Sequence, residues 1–136
     1  MARTLNNLGI VSLRRSQYSE AEAIYRRVLA IQQLRFGSEH FEVARAYNNL
    51  AKAYFGEGRY GEAESLYVRA LALQEKTLGS AHPDEAATLS NYAELLNKTR
   101  RKGEARKLIS RARQIDSLYR RDTTMRNTVS FQDLQK

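Results

Sequence analysis

The sequence contains no cysteine and no tryptophan, and its 136 residues include one proline and seven glycines. Without cysteine there is neither a disulfide framework nor a thiolate metal site. Two histidines with no carboxylates placed to help them do not make a zinc site, so neither a metal nor a cofactor is expected. The shortage of proline disfavours many-turned β architectures, whereas abundant Ala, Leu, Arg and Glu favour helices. No window approaches the roughly 18 apolar residues of a membrane span, and the opening MARTLNNLGIVSLRR has no uninterrupted apolar core of secretory type. The expectation is one all-α domain, soluble and cytoplasmic.

What the chain does have is positive charge, a formal +8, distributed unevenly. Residues 1–35 hold six basic and two acidic groups, 36–77 five and six, and 78–120 nine and five. Such an excess either coats solvated helix surfaces or attracts acidic partners.

The chain also repeats itself. NNLGIVSLRRSQYSEAEAIYRRVLAIQQLRFGSEH lies over NNLAKAYFGEGRYGEAESLYVRALALQEKTLGSAH with Leu8 on Leu50, Tyr18 on Tyr60, Tyr25 on Tyr67, Gly37 on Gly79 and His40 on His82, a step of 42 residues. A third copy places Asn91, Ala93, Gly103, Glu104, Ala105, Ile109 and Ala112 under Asn49, Ala51, Gly61, Glu62, Ala63, Tyr67 and Ala70. In the middle unit Tyr47, Leu50, Ala51 and Tyr54 fall at i, i+3, i+4 and i+7, and Ala63, Leu66, Tyr67 and Ala70 do the same, which gives two amphipathic helices. Gly58 and Gly61 around Tyr60 are expected to break the chain between them. Gly79 would close the second helix, and Pro83 suits the first turn of the next. Alanines at these positions let backbones approach while the tyrosines fill the gaps, so both belong to the core. Each hairpin leaves a face uncovered, and stacked hairpins bury it as a curved solenoid with a concave side.

Large, Gly, Ala and Tyr residues at this spacing resemble tetratricopeptide repeats in their long, 42-residue form, over residues 2 to about 118. TLNNLGIVSLRRSQYSEAEAIYRRVLAI and YNNLAKAYFGEGRYGEAESLYVRALALQEKTLGSAHPDEAATL are similar to the repeats of kinesin light chain and of many bacterial proteins. The resemblance implies an α-solenoid of three antiparallel hairpins, about 1–37, 38–79 and 80–120, that serves as a protein-interaction scaffold. In such a scaffold the first helix of each pair lines a groove for an extended peptide. Family groove positions map onto Arg3, Asn6, Asn7 and Ile10, then Arg45, Asn48, Asn49, Lys52 and Phe55, then Ala87, Ser90, Asn91, Glu94 and Asn97.

Asn7, Asn49 and Asn91 form a ladder at the repeat spacing. An asparagine amide both donates and accepts, so the ladder either grips a peptide backbone or bonds to the neighbouring helix and fixes the stacking angle. Arg3, Arg45 and Lys52 would add charge-assisted bonds to acidic side chains or a terminal carboxylate, or else stay solvated. Repeats that capture acidic chaperone C-termini carry a Lys and Asn pair where this chain has Asn6 and Ile10, which argues against that partner.

Both ends of the repeat region are irregular. Ala2 aligns with Ala44 and nothing matches His40 to Glu42, so the chain is expected to open inside a longer array or at an engineered start, leaving an apolar face that favours association. Beyond Arg120 the repeat stops, and residues 121–136 have low helix propensity. They would be a disordered tail, a mock ligand for a neighbouring molecule, or a cap in which Met125, Val129, Phe131 and Leu134 cover Leu108, Ile115 and Leu118.

Nothing resembles a catalytic constellation. Glu20, Glu22, Glu62, Glu64 and Glu104 recur at the start of second helices, where they suit the helix dipole, and His40 and His82 mark hairpin entries. The other functional classes are a structural spacer that self-associates through its ends, and a nucleic-acid binder using Arg100, Arg101, Lys102, Arg106, Lys107, Arg111 and Arg113. The second lacks interleaved aromatic residues.

Overall fold

The computed structural model describes the backbone of residues 2–79 and 82–134, and side chains within these ranges as far as residue 121. Six helices follow one another: α1 (Ala2–Arg14), α2 (Tyr18–Phe36), α3 (Phe41–Gly56), α4 (Tyr60–Leu78), α5 (Pro83–Lys98) and α6 (Lys102–Leu134). They pair as hairpins α1/α2, α3/α4 and α5/α6, and no strand occurs among the described residues. The all-α solenoid read from the repeat is the fold.

The turn within each hairpin is the same device three times. The amide N–H groups of Gln17, Arg59 and Arg101 donate to the carbonyls of Ser12, Tyr54 and Leu96 at 2.8, 2.9 and 2.8 Å. The preceding residue takes a left-handed conformation, with φ of 58° at Ser16, 79° at Gly58 and 64° at Arg100. This pattern satisfies the last free carbonyls of the first helix and reverses the chain. Gly58 alone uses a glycine for it; Gly61, expected to share the break, lies inside the first turn of α4. Second helices end differently, at Gly37 and Gly79 with φ of 84° and 83°. His40 and His82 then cap the following helices, each Nδ1 accepting a 3.1 Å bond from the amide of Glu42 or Asp84.

Where α2 and α4 meet a glycine, α6 has Arg121, and its helix continues. Extending an existing helix adds one hydrogen bond per residue fixed, so threonines of poor propensity do not stop it once the left-handed exit is absent. The cap expected from Met125, Val129, Phe131 and Leu134 concerns side chains outside the described residues. The face it was to cover needs little covering: Ile115 is buried and Leu108 partly buried against Ala86 and Leu89 of α5, and only Leu118 is left exposed.

Ala21, Ala63 and Ala105 are fully buried where the helices of each hairpin cross, and Tyr25 and Tyr67 are buried beside them. Each such large side chain contributes about 1.5–3 kcal/mol on burial. Gly9 sits where Ala51 and Ala93 stand in later hairpins, because the Tyr25 ring would lie 2.6 Å from a Cβ there. The backbones of the first helices α1, α3 and α5 come close in succession, whereas among the described residues those of the second helices α2, α4 and α6 do not. The inner row therefore forms the concave side.

Candidate peptide-binding groove

Asparagines on the inner row bond to one another across the helices. Asn49 Nδ2 donates to Asn6 Oδ1 at 3.2 Å, and Asn91 Nδ2 donates to Asn48 Oδ1 at 3.2 Å. The register is thus one residue off the repeat spacing: Asn6, not Asn7, joins Asn49, and Asn7 is exposed. Each amide spends one of its four hydrogen-bonding sites on stacking.

Around this row the expected basic residues separate into two kinds. Arg45 is committed, its guanidinium bonded to Glu42 at 3.3 Å within α3 and to Asp84 of α5 at 3.1 Å. Arg3 and Lys52 are exposed and make no hydrogen bond or ion pair with the described residues. Phe55 turns out of the row, its ring 5.5 Å from that of Tyr60 and packed on the core.

Arg3, Asn6 and Arg45 meet at one end in a cleft of about 480 Å³, which Gln32, Arg35, Phe36 and Glu42 complete. Of its three guanidinium groups, Arg45 is paired with Glu42 and Asp84, and Arg3 and Arg35 make no ion pair with the described residues. Gln32 is buried and its Oε1 has no hydrogen-bond partner. Neither Gln32 nor Arg35 was expected here, since both belong to a second helix. The signal available was Gln74, one repeat on, which donates to the Asp84 carbonyl at 3.4 Å at the equivalent junction.

The outer side carries a clasp that sequence reasoning also missed. Arg59, in the turn of the second hairpin, reaches Glu22 on the first at 3.2 Å and holds Glu57 and Glu62 as well. Arg101 repeats this one hairpin on, 2.7 Å from Glu64 and 2.6 Å from Glu104. Glu22 and Glu64, expected only to suit the helix dipole and the surface, are thus bolts between repeats. Burial pushes the Glu22 carboxyl up, but hydrogen bonds with Glu57 and Arg26 and the charge of Arg59 outweigh it and hold the group below its usual range. The Arg101 hydrogen bond holds Glu104 low too. Burial first, then a 2.7 Å bond to Glu64, pushes the Tyr92 hydroxyl up to about 12. Arg101 is consequently not free for nucleic acid.

The tetratricopeptide repeat pattern matches residues 1–76 and again 42–117, together most of the chain. The chain belongs to the tetratricopeptide repeat family. No curated protein sequence matches this repeat protein, but solved structures do. BtubC (BKLC) from P. vanneervenii is 26% identical with a TM-score of 0.75, over 88% of this chain and 48% of that one. A putative kinesin light chain of Podosopora anserina with nearly identical TPR-like repeats is 29% identical, with TM-scores of 0.72 for its Q17M form and 0.70 for another structure, over 88% of this chain and 57% of that one. The repeat protein therefore spans about half the length of these relatives. Its family is one of protein-interaction scaffolds, and no helix among the described residues is long and apolar enough to cross a membrane.

Proposed function

We propose that this scaffold holds an extended, acidic peptide along its inner row, without catalysing a reaction. The observation that carries the reading is the cleft where Arg3 and Arg35 gather beside Asn6, whose amide has spent only one hydrogen bond, on Asn49. Guanidinium groups pair with carboxylates in a planar, two-bond fit, and the spare amide groups suit a peptide backbone of any sequence. Asn48, Asn91 and Lys52 continue the same track, while Asn7 and Phe55 flank it. The family's role as a scaffold and the length of the row support a peptide over a small molecule.

Anisotropy of a labelled acidic peptide, kept extended by interspersed prolines, tests this. Arg3→Glu with Lys52→Glu should weaken binding at least about tenfold, which corresponds to about 1.4 kcal/mol. Equal affinity for wild type and variant would sink the reading.

Association through the N-terminal end is favoured by one observation. Leu8 and Val11 are 51% and 45% exposed on α1, whereas Leu50 and Ala53, their equivalents on α3, are buried. Sedimentation of wild type against Leu8→Glu distinguishes a dimer formed there from a monomer.

A further inference from the structure

The outward face of each second helix is a seat for the first helix of the next hairpin. On α4, Glu64 accepts from Tyr92 and Arg101, the Tyr67 ring lies 5.9 Å from that of Tyr92, Leu71 packs on Ala86 and Leu89, and Gln74 donates to the Asp84 carbonyl. On α2 the same positions are Glu22, Tyr25, Leu29 and Gln32. The third seat, on α6, has Arg106, Ile109, Arg113 and Asp116 there. Among the described residues α6 packs on α5 alone, and the seat is an open trough of about 590 Å³ lined by Arg106, Ile109, Ser110, Arg113, Gln114 and Ser117.

These exchanges change what fits. A further hairpin of the same kind would bring an arginine, as Arg59 and Arg101 do, against Arg106 instead of a glutamate. It would also set apolar residues on Arg113 in place of leucine. The inner-row acceptors Asn6 and Asn48 have become Ser90. A second copy of the chain fares no better: its open end offers Thr4, Leu8 and Val11 with Arg14, Arg15 and Gln17 close by, and no acid. The trough keeps its helix-receiving shape and one apolar anchor, Ile109, but its charge is inverted. Arg106 and Arg113 are exposed and make no bond with the described residues.

We propose that this face of α6 docks an acidic amphipathic helix of another protein, a site separate from the inner groove. The incoming helix sets an apolar residue on Ile109 and carboxylates against Arg113 and Arg106. Its direction follows from the seats already filled. Gln74 lies at the start of α5 and Glu64 near its end, so Asp116 meets the positive N-terminus of the guest and Arg106 its negative C-terminus. Helices bind helical grooves through anchors at this spacing.

The test uses a labelled helical peptide of about 18 residues, Leu on one stripe and Glu flanking it, with a Lys-for-Glu twin. Anisotropy should show binding of the acidic peptide and none of the basic one. Arg106→Glu with Arg113→Glu should lose the acidic peptide at least about tenfold and gain the basic twin. Arg14→Glu with Arg15→Glu changes net charge equally at the far end and should alter nothing. Arg106→Gln with Arg113→Gln serves as the milder pair should the reversal disturb folding, which a thermal melt reports. No binding by wild type, equal loss in the far-end control, or loss through Lys52→Glu instead would each overturn the proposal. The last of these would move the peptide to the groove. Failure of the extended peptide with success of this one would leave α6 standing and remove the groove.

Discussion

Glu85 stands where α3 has Val43, a residue buried in an apolar cluster, and is itself only 3% exposed. Its Oε2 has no hydrogen-bond partner, and burial pushes its carboxyl above the usual range. A carboxyl raised in the folded state favours folding when protonated, and that benefit is lost as pH rises through the raised value. Glu85→Val should therefore stabilise the protein by about 1 kcal/mol at neutral pH, and the advantage should shrink as pH falls through the raised value and be largely gone at pH 4.5, as thermal melts at both values will show. Single residues of this kind were hard to read from sequence. Ser16 and Arg100 occupy left-handed turns without the glycine that announces one at Gly58. Tyr25, Ala63 and Ala105 could be placed in the core because their recurrence at the 42-residue step fixes the face they bury.

Among the helices, the ends of α2 and α4 and the starts of α3 and α5 are clearly marked in the sequence, and the continuation of α6 is not. Pro83, the capping histidines, Gly37 and Gly79 are local signals, each acting within a turn of where it stands. The continuation of α6 rests on a missing signal, the glycine absent at Arg121. Arg121→Gly should restore the exit and shorten the helix, seen as a loss of far-UV ellipticity at 222 nm with little change in Tm, since the packed part of α6 lies earlier. The pairings between helices were illegible for a related reason. Glu22 meets Arg59, and Asn6 meets Asn49, only once the stacking angle of whole hairpins is set, and no periodicity within one helix encodes that angle.

For the molecule as a whole, each hairpin leans only on its neighbours, so stability is close to a sum of local terms. The clasps couple these terms. Because Arg101 holds Glu104 low, that part of the clasp is complete above pH 4.5 and fades as pH falls through the depressed value. Arg101→Gln should speed amide exchange in α5 and α6 and leave α1 to α3 near wild type, with less acid sensitivity in the last hairpin. Uniformly faster exchange throughout would mean the stack melts as one body.

The spacing of the second helices has a mechanical consequence. The inner row is bolted by amide pairs, whereas among the described residues the backbones of α2, α4 and α6 stand clear of one another and are joined through the first helices between them and the arginine clasps at the turns. Such a stack is a leaf spring, stiff along its inner edge and compliant along its outer one. Tension between its two ends should therefore change its curvature before any hairpin opens, which force spectroscopy would read as a soft extension ahead of the first unfolding step.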